Sequence, residues 1–477
     1  MKLPKKFSLV SVTNPHALRP CAVELQGHRI GLPGVSSPEP LLRGCDQQQW
    51  LEHLVALGIR HLVVPLNGPD EDACLYARRH LVPGLDASGA DTQAASRRRT
   101  PKDASGAVYD LTRRDEGICA RLQFLLDAAA KTGVLVGLSL FSPVWPPPAG
   151  PLALLAADVR ASQAGAARPP SVHRHRKGRT TVIRRRASSG QRLEEALAHA
   201  VEWISAELRG RTAVWVQVFR GGAGADSPDT PLSRLEGRLA AQMAAALARA
   251  GEDPAQAQLG PWLVAPEGFD WNAAPSSHRA PFSMRPAAPL GRRGSLPLQL
   301  AGPRQPLLCD FSTGRGHEGI SRRPPLRAEL WRSVMHGCWP IVPSSFSSSA
   351  RQHPWRDLAQ LAILGRLWVG EGYLRPATEI LAPLPPGLVA SGKAAAATDG
   401  RGRFFIYWSG GAHQRAELAT LPGTYRYYWF EPTSGRGLDR GDGLEGGRNC
   451  RVPGPGVERE ALLILEQEDL PDPLSFW

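Results

Sequence analysis

The sequence predicts an α/β chain, a (β/α)8 TIM barrel followed by an all-β sandwich domain. Three observations point there. Short apolar runs alternate with amphipathic helices over the first three quarters of the 477 residues. Each of the clearest runs is apolar throughout rather than alternating, as strands covered on both faces are. Past Tyr373 the helical period gives way to short aromatic and β-branched runs separated by Gly and Pro turns.

The elements follow in order. "QQQWLEHLVALGI" places Trp50, Leu54 and Leu57 at helical spacing, stops at Gly58 and leads into the strand "RHLVVPLN". "EGICARLQFLLDAAAKTG" aligns Ile118, Leu122, Leu125 and Ala129 on one face, stops at Gly133 and leads into "VLVGLSLF". "RLEEALAHAVEWISAELRG" precedes "TAVWVQVF" in the same way. A helix, a glycine stop and a buried strand, three times over, mean a parallel sheet with helical crossovers. The pattern continues through the helix "LSRLEGRLAAQMAAALARAG", the strand candidates "GPWLVAPEG" and "QPLLCDF", the helix "PLRAELWRSVMHG" and the strand "CWPIVPS". With "AVELQG" as the first strand and the "LPLQL" region counted loosely, eight strand positions are filled, the number a (β/α)8 barrel needs. The expected division is a barrel over 1–375 and a sandwich over 376–477. The runs "GRFFIYWSG", "GTYRYYWFEPTSGRG" and "ALLILEQ" are the strands of the second part.

Composition narrows the function classes. A hydrophobic content of 42% supplies a sizeable core. The net charge of +13 is concentrated in two basic insertions, near 90–106 and 146–190, the second carrying "HRHRKGRTTVIRRR". That loop has the charge to grip a phosphate backbone but no interleaved aromatics for base stacking, so a solvated loop is the favoured reading and nucleic acid the lesser one. Cys21, Cys45, Cys74, Cys119, Cys309, Cys338 and Cys450 show no CxxC spacing, so neither a zinc site nor a disulfide framework is expected. No metal constellation, Walker motif, strand-linked GxGxxG or GxSxG elbow occurs, and no cofactor is expected. No run of about 18 apolar residues would span a membrane. The start "MKLPKKFSLVSV" is basic but lacks a secretory apolar region and cleavage site, so localisation is left open, cytoplasmic as the sequence is written.

Several segments in order resemble the cellulase-like glycoside hydrolases of bacteria. "NPHALRP" with "VELQGHRIG" is similar to that family's opening, and "WLEHLVALGIRHLVVPL" to its first helix and strand. "VYDLTRRDEGICARLQFLLDAAAKTGVLVGLSLFSPVW" is the most specific match. "RAELWRSVMHGCWPIV" resembles the late helix, and "RFFIYWSGG" with "GTYRYYWFEPTSGR" the C-terminal β-sandwich of the collagen-binding type. The resemblance covers nearly the whole chain. It implies a retaining-type barrel acting on a poly- or oligosaccharide, in a family commonly exported.

A retaining glycosidase sets two carboxyl groups about 5–5.5 Å apart, one an acid/base and one a nucleophile. The resemblance implies a Glu for the first in an Asn-Glu pair ending strand four, and a Glu for the second ending strand seven. Strand four here reads "VWVQVFRGG", with Phe219 and Arg220 in the place of the pair. An arginine does not release its proton at neutral pH, and no Asp or Glu lies between Arg211 and Gly224. Arg220 in that place favours an anionic group or a pairing with Asp310. Strand seven reads "LLCDFSTGRGHEGI", with Asp310 at or one residue before the nucleophile position and Phe311 as the other equivalent. Asp310 is therefore a candidate nucleophile or a structural acid. Glu318 and His317 sit in the loop beyond, and Glu267 in "LVAPEGFDW" is a relocated-acid candidate. His28 stands where the resemblance implies a residue at the pocket floor. Trp145, Trp271 and Trp339 follow strand-like segments and could line the mouth, where sugar rings stack on aromatic faces, or fill the core. The expectation is a glycoside hydrolase-like chain, divergent at its catalytic positions. A non-catalytic carbohydrate-binding or scaffold protein is the alternative.

Overall fold

The structure is a computed structural model. It describes residues 22–25, 28–31, 34–66, 75–79, 108–141, 188–219, 231–250, 261–265, 269–270, 278–280, 283–286, 307–311, 326–335, 338–343, 358, 361–364, 382–383, 394–398, 402–409, 415–418, 422–447, 450–456 and 460–468.

The chain enters through a hairpin of β1 (Ala22–Leu25) and β2 (His28–Gly31), paired antiparallel as a sheet of its own. The "AVELQG" run is thus not the first barrel strand. Its ladder partner is the next four-residue strand, from Ala22 opposite Gly31 to Leu25 opposite His28. The barrel begins at β3 (Gly34–Ser36) and continues through β4 (His61–Pro65). A second hairpin, β5 (Tyr76–Arg79) with β6 (Val108–Arg114), precedes β7 (Leu135–Phe141) and β8 (Val214–Phe219). Then come β9 (Trp262–Leu263), β10 (Ser283–Pro286), β11 (Leu307–Asp310) and β12 (Cys338–Pro343). These eight strands form one sheet in the order β10-β11-β12-β3-β4-β7-β8-β9. All seven pairings are parallel, and β12 pairs with β3, joining the last strand to the first. Across the remaining side the described contact is a parallel bridge between Leu263 and Arg279. The sixth strand is "SMRP"; the "LPLQL" region lies outside the described residues.

Among the described residues five α-helices flank the strands: α1 (Gln47–Ala56), α2 (Glu116–Thr132), α3 (Ser188–Glu207), α4 (Pro231–Ala250) and α5 (Leu326–Met335). Their boundaries follow from local chemistry. Asp46 caps α1 by accepting from the Gln49 amide, and Asp115 caps α2 by accepting from the Ile118 amide at 3.0 Å. Gly133 closes α2 in the left-handed region at φ 68°. Ile118, Leu122, Leu125 and Ala129 are buried, so the predicted face of α2 is the one packed inward. The fully buried strands β4, β7 and β8 explain the unbroken apolar runs.

The C-terminal β domain holds β13 (Ala382–Pro383), β14 (Ala394–Thr398), β15 (Arg403–Trp408), β16 (Arg415–Leu418), β17 (Thr424–Glu431), β18 (Arg436–Glu445), β19 (Cys450–Pro453) and β20 (Ala461–Gln467). Six of them form an antiparallel sheet in the order β13-β14-β15-β20-β17-β18, while β16 pairs with β19. Alternation along the strands gives the sheet two buried faces. Phe404, Ile406, Trp408, Tyr425, Trp429 and Leu463 pack with Cys450 and Val452 of β19. Phe405, Tyr407, Phe430, Leu462 and Ile464 belong instead to the core that continues into the barrel. There Trp331 of α5 stacks on Tyr407 with ring centroids 6.0 Å apart. Arg332 donates to the Ser409 hydroxyl at 2.6 Å, and Arg327 pairs with Glu460 at 2.5 Å.

Candidate functional site

The strand registers decide which side chains line the barrel. His61 pairs with Leu135, Val63 with Gly137, Gly137 with Trp215, and Ser139 with Gln217. On the closing side Gly34 pairs with Ile341, Ile341 with Asp310, and Trp339 with Leu308. Side chains alternate along a strand, so these residues share one face and Val35, Leu62, Val64, Val136, Leu138, Val216 and Val342 the other. The second set is the aliphatic face that helices cover. The first set faces the lumen, and it carries the polar residues Ser36, His61, Ser139, Gln217 and Asp310, each at most 4% exposed.

Neighbouring strands in such a barrel slip by about one residue each, so lumen side chains stack in layers drawn from alternate strands. Just above Leu135 and Trp262, which share this face, a first layer joins His61, Trp215 and Trp339. Trp215 Nε1 donates to His61 Nε2 at 2.9 Å, and the rings meet edge-on. Two such bulky rings need room above them. The next layer supplies it with Gly34 and Gly137, beside Val264 and Leu308. A Cβ on Gly137 would fall 2.1 Å from the Trp215 ring, and one on Gly34 would fall 2.9 Å from the His61 ring. Val63, Gln217, Met284 and Ile341 form the third layer. The described residues of the fourth, nearest the C-terminal mouth, are polar: Ser36, Ser139 and Asp310. Above it Phe141 and Phe219 end their strands with rings 5.5 Å apart, both buried.

The exit of β3 is fixed from outside. Gln47 donates to the carbonyls of Pro40 and Arg121 at 2.7 and 2.9 Å. Arg121 donates to the carbonyls of Leu41, Pro40 and Cys45 at 3.0–3.1 Å. These contacts hold the turn that follows Ser36 against α1 and α2.

No protein-family profile and no curated protein matches the sequence. Solved structures do. A family 5 glycoside hydrolase from Bacteroides vulgatus ATCC 8482 matches with a TM-score of 0.55 at 11% identity, covering 97% of this chain and 97% of that one. The chain shares the fold of that glycoside hydrolase over nearly its whole length. A second glycoside hydrolase matches with a TM-score of 0.53 at 11% identity, covering 95% of this chain and 98% of that one. A further structure from the same Bacteroides matches at 0.54 and 12% identity, over 95% of this chain and 83% of that one.

Within this glycoside hydrolase fold the expected site residues fall as follows. Asp310 is the last residue of β11, faces the lumen and is fully buried. Phe311, the other equivalent, has the opposite parity, and its amide donates to the Ile341 carbonyl at 2.9 Å. Trp339 lies inside β12 rather than after it. It belongs to a deep lumen layer at 0% exposure, so of the two readings, lining the mouth and filling the core, the second is the one its position fits. His28 belongs to the β1–β2 hairpin, outside the eight-stranded sheet. The histidine inside the barrel is His61, which sequence reading passed over. Its signal was a polar residue opening the apolar run "HLVVP", in step with lumen positions. Gln217, Ser139 and Ser36 were missed for the same reason, since single polar residues inside apolar strands look like interruptions until the register gives them a shared face. Arg220, Trp145, Glu267, Trp271, His317 and Glu318 lie outside the described residues, as does nearly all of both basic insertions. Among the described residues no helix is long and apolar enough to cross a membrane.

Proposed function

We propose that this protein is a carbohydrate-binding barrel of the glycoside hydrolase fold that does not run the retaining two-carboxylate mechanism. One observation carries the reading. Strand four ends on Phe219, whose ring is buried against Phe141, and no carboxylate lies between Arg211 and Gly224. The proton donor of that mechanism has no source at its usual strand. The other half of the pair has a lumen-facing carboxylate at strand seven, Asp310, which the register assigns to the same layer as the hydroxyl-bearing Ser36 and Ser139. A carboxylate in a layer with two serines suits accepting sugar or water hydroxyls, whereas protonating a leaving oxygen needs a second group. We place the division between barrel and β domain near residue 375.

Titration calorimetry of the full chain with cellohexaose, mannohexaose and xylohexaose tests binding, alongside reducing-sugar release from the same oligosaccharides. Binding without release is the expected result. Absence of binding to all three, or release that disappears in Asp310→Asn, contradicts the proposal. The latter outcome is the second reading, a hydrolase built on Asp310, and the lumen-facing position of that residue favours it over any use of Phe311.

A further inference from the structure

Besides Trp339 Nε1 in the first layer, two polar atoms of the described lumen residues lack a hydrogen-bond partner: Ser139 Oγ and Gln217 Oε1. The residues are 2% and 4% exposed, and they are direct register partners on adjacent strands β7 and β8. Leaving such an atom buried and unpaired destabilises the fold, and unpaired buried groups in native proteins call for a physical reason. Apolar side chains of similar size would remove the cost, as Val63 and Ile341 do in Gln217's own layer. The pair stands at the third and fourth layers, next to Ser36 and Asp310 and directly beneath the C-terminal mouth, the end at which such barrels take their ligands.

We propose that Gln217 and Ser139 form a seat for a single ligand hydroxyl, the deepest recognition point of a bound sugar. The reading rests on the carbohydrate binding proposed above and adds the residues that read the sugar. The chemistry selects the group. The Gln217 amide oxygen only accepts, while the Ser139 hydroxyl donates or accepts. A hydroxyl donates to the first and accepts from the second at once, which neither a carboxylate nor an ammonium does. Phe141 and Phe219 lie one step above, so a sugar with its apolar C–H face against these rings would direct a hydroxyl down into the seat. Both rings are buried, so access requires them to move outward. A water molecule has the same chemistry as a sugar hydroxyl, and the experiment separates the two.

The test measures affinity for the oligosaccharide that binds wild type, in Gln217→Leu and in Ser139→Ala, together with stability by urea unfolding. The seat predicts binding about ten-fold weaker or more in each variant, with folding stability unchanged or raised. A series of monodeoxy analogues of the same sugar supplies the second readout. One missing hydroxyl should weaken binding to wild type and make little difference to Gln217→Leu. Equal affinity in wild type and both variants overturns the seat and leaves carbohydrate binding standing. So does a loss of stability with affinity intact, the mark of a buried structural water. So does a wild type indifferent to every deoxy position. Failure of wild type to bind any of the three hexaoses overturns both readings together.

Discussion

Trp215 and His61 are joined across the barrel floor, the indole N–H donating to Nε2 at 2.9 Å over the empty side of Gly137. With Nε2 accepting, the imidazole proton sits on Nδ1. Because a Cβ on Gly137 would fall 2.1 Å from the indole, Gly137→Ala must push the Trp215 ring away from His61. The expected loss is about 1–3 kcal/mol, the usual cost of overpacking a tight core. Urea unfolding followed by tryptophan fluorescence measures it. An unchanged midpoint would mean that the ring is not seated over the glycine.

Trp215→Phe keeps an aromatic ring in the floor but removes the donor that His61 Nε2 accepts from. The cost expected for leaving that nitrogen unsatisfied is roughly 1–3 kcal/mol. The same unfolding measurement on His61→Phe and on the double variant isolates the pair. A coupling energy near zero would show that the hydrogen bond contributes nothing to the fold.

Trp331 is fully buried between the barrel and the β domain and stacks on Tyr407. Trp331→Ala should destabilise the whole chain by about 3–5 kcal/mol, as large aromatic truncations in a core do. Calorimetry should show one transition lowered as a unit, since Phe405, Tyr407 and Ile464 share the barrel's core. A selective shift of a separate, smaller transition would show that the two parts melt independently.

Cys119 sits on the buried face of α2, and burial pushes its thiol up to about 11. A group whose thiolate is disfavoured is a poor nucleophile at neutral pH. Iodoacetamide at pH 8 should therefore leave Cys119 unmodified in the native protein and label it in urea, as read by peptide mass spectrometry. Rapid native labelling would contradict the packing of α2.

Most of the barrel was legible because its signals are local. The helix stops at Gly58 and Gly133 and the apolar runs of β4, β7 and β8 follow from periodicity alone. The first strand was not, because "AVELQG" and "GVS" are both short, and only the long-range pairing of Gly34–Ser36 with Ile341–Pro343 shows that the second enters the barrel while Ala22–Leu25 pairs with its neighbour His28–Gly31. The sixth strand "SMRP" has two apolar side chains and carries almost no strand signal. The candidate site was legible at its edges, where Phe219 and Asp310 end their strands. Its floor was not. Gly34, Gly137, His61 and Trp215 are separated by up to 181 residues in sequence, and only the register stacks them in adjoining layers. Trp339 stayed undecided for a related reason, since tryptophan serves a sugar-lined mouth and a packed core equally well until its strand position is known.

The central claim is that strand four, ending on the buried Phe219, leaves the barrel without its proton donor. Steady-state hydrolysis by the purified full chain, over a panel of aryl β-glycosides and β-linked polysaccharides, addresses it most directly. The account predicts turnover indistinguishable from the buffer control on every substrate. Turnover that is abolished by Asp310→Asn would contradict it and establish a working carboxylate pair in this fold.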